Sequence, residues 1–209
     1  FSSSANVYGV PSSLPITEKM PTIPNNAYGR SKLFGEALIK DWSNCNPARG
    51  SVSLRYFNPV GAHQSGLIGE NPEKGENIFP KIFQSINESV PLKIYGDDYN
   101  TRDGTGERDF IHVMDLADAH TDVITGLQKK VGYDFFNVGT GTGTTVLELV
   151  DMMTAVSGVK IPTEIVSRRP GDVDSAFADA TRIEDAYGWI AKYNLESMCR
   201  DSWNWINSL

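Results

Sequence analysis

The sequence predicts an α/β fold built on a parallel sheet, and three observations carry that expectation. Stretches with helical spacing alternate along the chain with short runs of β-branched and aromatic residues. No repeat or low-complexity segment interrupts the alternation. The 209 residues are enough to bury a substantial core, and a composition of 40% apolar and 22% charged residues is ordinary for a globular protein.

Taken in order, the elements follow from spacing and punctuation. Residues 26–46 should form the first helix, capped by Asn25 or Asn26, with Phe34, Leu38 and Trp42 recurring every four positions as an apolar face. A strand over 52–57 follows, and Asn58, Pro59 and Gly61 break it. The polar stretch 63–76 reads as a long loop of the kind that carries function. A helix over 79–86, a strand over 92–95 and a turn-rich segment over 96–107 come next. The helix from about Met114 to Gln128 places Leu116, Val123, Ile124 and Leu127 on one face and leads to a strand over 133–138. Thr145 or a residue near it caps a helix containing Leu147, Val150, Met153 and Val156. A strand over 163–167, a polar turn over 168–172 and two closing helices complete the chain, the last carrying Met198, Trp205 and Ile206.

Charge and cysteine content narrow the function classes. Nineteen basic against 26 acidic residues give a formal charge of -7, which opposes unspecific binding to nucleic acid or to an anionic membrane. An anionic ligand must therefore meet a local cluster of arginines. Cys45 and Cys199 are far apart and form no CxxC, so neither a disulfide framework nor a zinc site is encoded. The three histidines, His63, His112 and His120, lack metal-ligand spacing, and no metal is expected. No apolar run approaches the ~20 residues of a membrane span. These features predict a cytoplasmic protein. The chain opens on Phe1 and a segment resembling the end of a strand, which suggests a fragment.

The sharpest local pattern is Tyr28 with Lys32, four residues apart and so on one helical face, about a helix's length after Ser2, Ser3 and Ser4. A phenol with its ordinary pKa of ~10 is a poor base, but a neighbouring ammonium favours the phenolate, and a hydroxyl from a strand end could complete a proton relay. On spacing alone a Tyr and a Lys one turn apart are more often a surface pair.

Longer motifs change that weight. Ser2-Ser-Ser-Ala-Asn-Val-Tyr-Gly9, Asn26-Ala-Tyr-Gly-Arg-Ser-Lys32, Leu54-Arg-Tyr-Phe-Asn-Pro-Val-Gly-Ala-His63 and Asp103-Gly-Thr-Gly-Glu-Arg-Asp-Phe-Ile-His-Val-Met-Asp-Leu-Ala117 resemble, in order and spacing, the extended short-chain dehydrogenase/reductase family. Within it the motifs are similar to those of the UDP-glucose 4-epimerases. The resemblance implies the C-terminal part of a Rossmann-like parallel sheet plus a smaller α/β substrate-binding domain. Residues 1–58 would belong to the NAD-binding domain, without its first strands. Residues 59–209 would form mainly the UDP-sugar-binding domain, with segments returning to the sheet. The family's glycine-rich pyrophosphate turn has no counterpart here. Gly139-Thr-Gly-Thr-Gly-Thr144 is a near match that lacks the final glycine, and it reads as a turn leading into a helix.

The same resemblance assigns roles by matched motif. Tyr28 is the expected catalytic base, Lys32 its partner and a hold on the nicotinamide ribose, and Ser4 the hydroxyl beside the sugar. Ser4, Tyr28, Lys32 and Phe57 would bind NAD. Ser4, Tyr28, Asn58, Asn77, Ile78, Lys93, Ile94, Tyr95, Arg108, Phe110, Arg169, Asp172 and Ala176 would bind the UDP-sugar, the arginine forks suiting diphosphate oxygens. Tyr56 is expected in the core, His112 in a structural role, and Ser31 as a surface hydroxyl.

The implied reaction is C4 epimerisation of UDP-glucose and UDP-galactose through a transient 4-keto sugar, in galactose metabolism, by a protein that is a homodimer when full length. Ala176, at the position bordering the sugar's 2-substituent, extends the expected range to the N-acetylated pair. Two alternatives compete with this reading. A related dehydratase or decarboxylase would share the Tyr and Lys pair, but dehydratases place an acidic pair where Ala5 and Asn6 stand. The chain could also be an inactive fragment or binding module.

Overall fold

A computed structural model of the protein describes residues 1–46, 48–127 and 130–209. The elements run β1 (Ser2–Ser4), a 3-10 turn (Ala5–Val7), α1 (Ala27–Cys45), β2 (Gly50–Tyr56), β3 (Asn58–Val60), α2 (Ile78–Glu88), β4 (Leu92–Tyr95), β5 (Glu107–Arg108) and β6 (Phe110–His112). They continue with α3 (Val113–Leu127), β7 (Gly132–Val138), β8 (Thr144–Thr145), α4 (Val146–Ser157), β9 (Thr163–Val166), β10 (Ser175–Ala176), α5 (Thr181–Tyr187) and α6 (Leu195–Ile206). The expected end of the third helix at Gln128 lies outside the described residues.

β1, β2 and β7 form a parallel sheet in that order, with Ser4 opposite Tyr56 and Tyr56 opposite Val138. α1 is the crossover between β1 and β2, because parallel neighbours cannot be joined by a tight turn. The remaining pairings form separate small sheets: β3 with β6, β4 with β9, and β5 between β10 and β8. Asn58 and Pro59, expected only to break the preceding strand, form β3 instead. The chain then turns at Gly61, whose φ of +89° and closeness to the His112 ring leave no room for a side chain.

Two clusters hold most of the core. Val52, Leu54, Phe136 and Val138 of the sheet pack with Ala119 and Val123 of α3 and Ile183 of α5. Phe79, Ile82 and Phe83 of α2 meet Leu149, Val150 and Met153 of α4 and Met198 of α6. Thr145 caps α4 as expected, in a reciprocal box: its Oγ1 accepts the Glu148 N–H at 3.2 Å and its own N–H donates to Glu148 Oε2 at 2.9 Å. Arg102 beside Glu148 holds that carboxyl down at about 2.

α1 differs from expectation in orientation. Asn26 caps it, accepting the Gly29 N–H at 2.7 Å, but Phe34, Leu38 and Trp42 point outward with 68%, 71% and 46% of their surface exposed. The buried positions are Gly29, Glu36 and Ser43, seven residues apart. Close approach selects them. A Cβ on Gly29 would sit 2.4 Å from the Asn6 carbonyl oxygen, so only glycine lets the helix start against the 3-10 turn. Ile124 of α3 is likewise exposed, although Val123 beside it is buried.

Glu36 binds Arg55 of β2 with both oxygens, at 2.8 Å to Nε and 2.6 Å to Nη2, and accepts the Ser3 hydroxyl at 2.5 Å. Arg55 also donates to the Tyr8 hydroxyl at 3.0 Å, and Tyr8 donates to Asn137 Oδ1 of β7 at 2.7 Å. Both charged side chains are about 5% exposed, and the guanidinium lies 4.1 Å from the Phe135 ring centre. Burial pushes the Tyr8 phenol up to about 12, so it stays a donor.

Removing one partner of such a pair strands a buried charge. Glu36→Ala should therefore cost about 3–5 kcal/mol in urea unfolding, and replacing Glu36 and Arg55 together by methionine should recover most of it. A loss below about 1 kcal/mol for the single variant would contradict the account. Gly29→Ala sets a helix-propensity gain of about 1 kcal/mol against a backbone clash. The clash should win, lowering stability by about 1–3 kcal/mol, because the obstructing atom is a carbonyl oxygen that cannot rotate away.

Candidate active site

A groove of about 1020 Å³ opens where β1 and β2 end, the place where parallel α/β sheets bind ligands. β1 delivers Ser4 to it, the N-terminus of α1 delivers Tyr28, and the end of β2 delivers Phe57. The groove is also lined by Asn58, Asn77, Ile78, Lys93, Ile94, Tyr95, Arg108, Phe110, Arg169, Asp172 and Ala176. Every residue expected to contact a UDP-sugar is thus on one continuous wall. Lys32 lies behind that wall. Its Nζ donates to the Ser2 carbonyl at 2.9 Å and sits 5.5 Å from the Tyr28 ring centre.

Ser4 is buried, and its Oγ accepts from both the Asn6 N–H and the Asn6 side-chain amide, each at 3.2 Å. With both acceptor positions used, its own O–H is left to donate toward the groove. Tyr28 is about half exposed and carries its ring into the same space. Phe57 is buried, and Tyr56, expected in the core, is half-buried: it packs against the cluster of the sheet and α3 and also lines the groove. The sequence pattern could not separate these adjacent aromatics, because side-chain alternation at a strand's last residue depends on how the chain leaves the sheet.

At the other end the arginines divide into two kinds. Arg168 is committed to the protein: it pairs with Asp98 at 2.6 Å and Asp174 at 3.5 Å and stacks over Tyr99 at 3.9 Å. Arg169 has no carboxylate partner among the described residues and lies 3.8 Å over the Tyr95 ring, within the groove. Arg108 donates to the carbonyls of Glu107 and Val173 at 2.8 and 2.9 Å and faces Asp172 at 3.5 Å. Asn77 makes no side-chain cap to α2, so the amides of that helix's first turn have no capping acceptor beside the groove.

The glycine-rich near match is closed to phosphate by the protein's own anion. The buried Asp109 carboxylate accepts the Thr140 N–H and hydroxyl at 2.8 and 2.7 Å and the N–H groups of Gly141 and Ala178 at 3.0 Å each. Burial outweighs those donors and raises the Asp109 pKa. His112 accepts the Met114 N–H at 3.0 Å and stacks on Tyr193, a structural placement, and burial lowers its pKa. The exposed Ser31 hydroxyl donates to the Tyr28 carbonyl at 2.7 Å. Asn25 and Asn26, read from sequence only as helix caps, also line the groove.

The chain is similar to several known proteins. Residues 1–202 match the sequence family described as GDP-mannose 4,6 dehydratase. The UDP-glucose 4-epimerase of Dictyostelium discoideum is 50% identical over 98% of this chain and 60% of its own length, and that of Bacillus subtilis 45% identical over 100% and 62%. The chain thus spans about 60% of these curated relatives. Among solved structures, the UDP-glucose 4-epimerase of Stenotrophomonas maltophila with bound NAD and formylated UDP-arabinopyranose superposes with a TM-score of 0.95 at 43% identity, covering 100% of this chain and 62% of that one. The Bifidobacterium longum enzyme in complex with NAD+ and UDP gives 0.92 at 46% identity, covering 100% and 63%. The chain has a Rossmann-type α/β fold and belongs to the GDP-mannose 4,6 dehydratase family of extended short-chain dehydrogenases, in which it resembles the UDP-glucose 4-epimerases.

Proposed function

We propose that this chain supplies the catalytic and substrate-binding part of an NAD-dependent UDP-glucose 4-epimerase, interconverting UDP-glucose and UDP-galactose in galactose metabolism. The observation that carries the reading is one groove lined by Ser4, Tyr28 and Arg169, the last without a carboxylate partner among the described residues. Residues 1–58 then count as the C-terminal part of the NAD-binding domain and residues 59–209 mainly as the UDP-sugar domain.

Ser4, Tyr28, Lys32 and Phe57 fit the nicotinamide end of NAD. They gather at the strand ends, and the Lys32 ammonium makes its one described bond to the Ser2 carbonyl, leaving donors for a ribose. NAD, when bound, supplies a reversible hydride acceptor and donor at the sugar's C4. Tyr28 takes and returns the proton of the 4-hydroxyl, and the Ser4 O–H donates to the same oxygen. Arg169, Arg108, Asn77 and the first turn of α2 hold the diphosphate. A hold at that distance leaves the sugar ring free to turn between its two faces, which inverts C4 without net oxidation.

A dehydratase fits less well. It needs acidic groups to expel water, and here Ala5 has no functional group while Asn6 is a neutral amide bound to Ser4 and Asn26. The outward Phe34, Leu38 and Trp42 stripe supports a homodimer packed through α1. Two free cysteines, and the lack among the described residues of a helix long and apolar enough to cross a membrane, support a cytoplasmic location.

In the full-length NAD-loaded protein, Tyr28→Phe should lower turnover by about 10²–10⁴-fold, with the dissociation constant for UDP unchanged by calorimetry. A raised Michaelis constant with intact turnover would remove Tyr28 from the base role. Ala176 is half-buried in the groove wall, and its methyl leaves room for an acetamide at the sugar's 2-position. The protein should therefore also interconvert UDP-N-acetylglucosamine and UDP-N-acetylgalactosamine. Ala176→Tyr should abolish that activity while sparing the plain sugars. Coupled assays on both pairs decide it, and an acetylated activity that survives the tyrosine would refute the steric argument.

A further inference from the structure

Three asparagine side chains form a continuous hydrogen-bonded ladder along one wall of the groove. Asn6 Nδ2 donates to Ser4 Oγ at 3.2 Å, and Asn6 Oδ1 accepts from Asn26 Nδ2 at 3.1 Å. The Asn26 amide nitrogen also donates to Asn25 Oδ1 at 3.1 Å, and Asn25 Nδ2 donates to the Gly171 carbonyl at 3.0 Å. Gly171 belongs to the turn that carries Arg169 and Asp172. The ladder therefore joins the hydroxyl at the reacting end to the turn at the diphosphate end.

Its polarity is fixed by groups that have only one role. The Gly29 N–H can only donate, and it occupies Asn26 Oδ1 at 2.7 Å, which forces the Asn26 amine toward Asn6 and Asn25. The Gly171 carbonyl can only accept, which orients Asn25. A flip of any amide would set donor against donor or acceptor against acceptor. Gly171 adopts a φ of +85°, a backbone state that suits glycine. In open water each link is worth little, whereas a ligand filling the groove would exclude that water, and hydrogen bonds strengthen as the local dielectric falls.

We propose that Asn6, Asn26 and Asn25 are positioning residues that set the distance between the diphosphate-binding turn and Ser4, so that a nucleotide sugar gripped at its diphosphate presents C4 to Ser4 and Tyr28. The inference rests on the proposed function. It assigns these asparagines no contact with the reacting atoms: they act through the turn and through the serine.

Asn25→Ala cuts the ladder at its diphosphate end while leaving the α1 cap and both bonds to Ser4 in place. In the full-length NAD-loaded protein, turnover of UDP-galactose should fall about tenfold, while the dissociation constant for UDP stays within about twofold, since UDP does not reach the reacting end. Asn25→Asp keeps the acceptor for Asn26 but loses the donor to Gly171, and it should match the alanine variant. Unchanged turnover in both variants with a wild-type rate in the parent would overturn the ladder alone. So would UDP affinity falling in step with turnover, which marks a damaged turn. A parent protein that binds UDP but interconverts no UDP-sugar would overturn the functional reading itself.

Discussion

The arrangement depends above all on the bidentate Glu36–Arg55 pair. It joins the one helix that carries Tyr28 and Lys32 to the central strand of the sheet, and through Ser3 it also reaches the strand that presents Ser4. A charge pair at this depth is costly to desolvate, and its net contribution to stability can be small. Its directional geometry is what matters here. Ser3 and Ser4 alternate across β1, so the first is bound to the buried carboxylate while the second faces the groove. Adjacent hydroxyls of the same chemistry thereby acquire separate tasks.

Polar groups do comparable work elsewhere. The Asp115 carboxylate accepts the backbone N–H groups of Lys192 and Tyr193 at 2.9 and 3.0 Å, and Trp189 donates its indole N–H to the Asp115 carbonyl at 3.0 Å, tying the segment before α6 to α3. Arg108 performs a similar service for the 172–174 turn through the Val173 carbonyl and Asp172. Arg108 and the turn it binds line the groove, and so do Val60, Leu92 and Phe110 of the cluster under α2, α4 and α6, while the cluster under α3 and α5 packs against the sheet.

Much of this was legible in the sequence where the signal is local. The strand over 92–95 and the cap at Thr145 were both read from the sequence and are both present in the fold. The facing of α1 was not legible. Its inner line of Gly29, Glu36 and Ser43 looks like a solvent face until Arg55 and the Asn6 carbonyl are brought against it by the fold. The two-residue strands β5, β8 and β10 carry no periodicity at all. Ser4, Tyr28, Asn58, Arg108 and Phe110, the candidates inside long motifs, stood out for that reason. The second role of Asn25 stayed hidden, since its partner Gly171 is 146 residues away and offers only a backbone oxygen.

The Asp109 turn has a consequence for selectivity. A cluster of backbone amides pointing one way attracts free phosphate or any nucleotide that diffuses by. Here the attraction is satisfied by a resident carboxylate bound through four hydrogen bonds, so an incoming anion would compete against a tethered one of very high effective concentration. Self-occupancy of this kind silences an anion trap that would otherwise compete with any other site on the molecule for the same ligand.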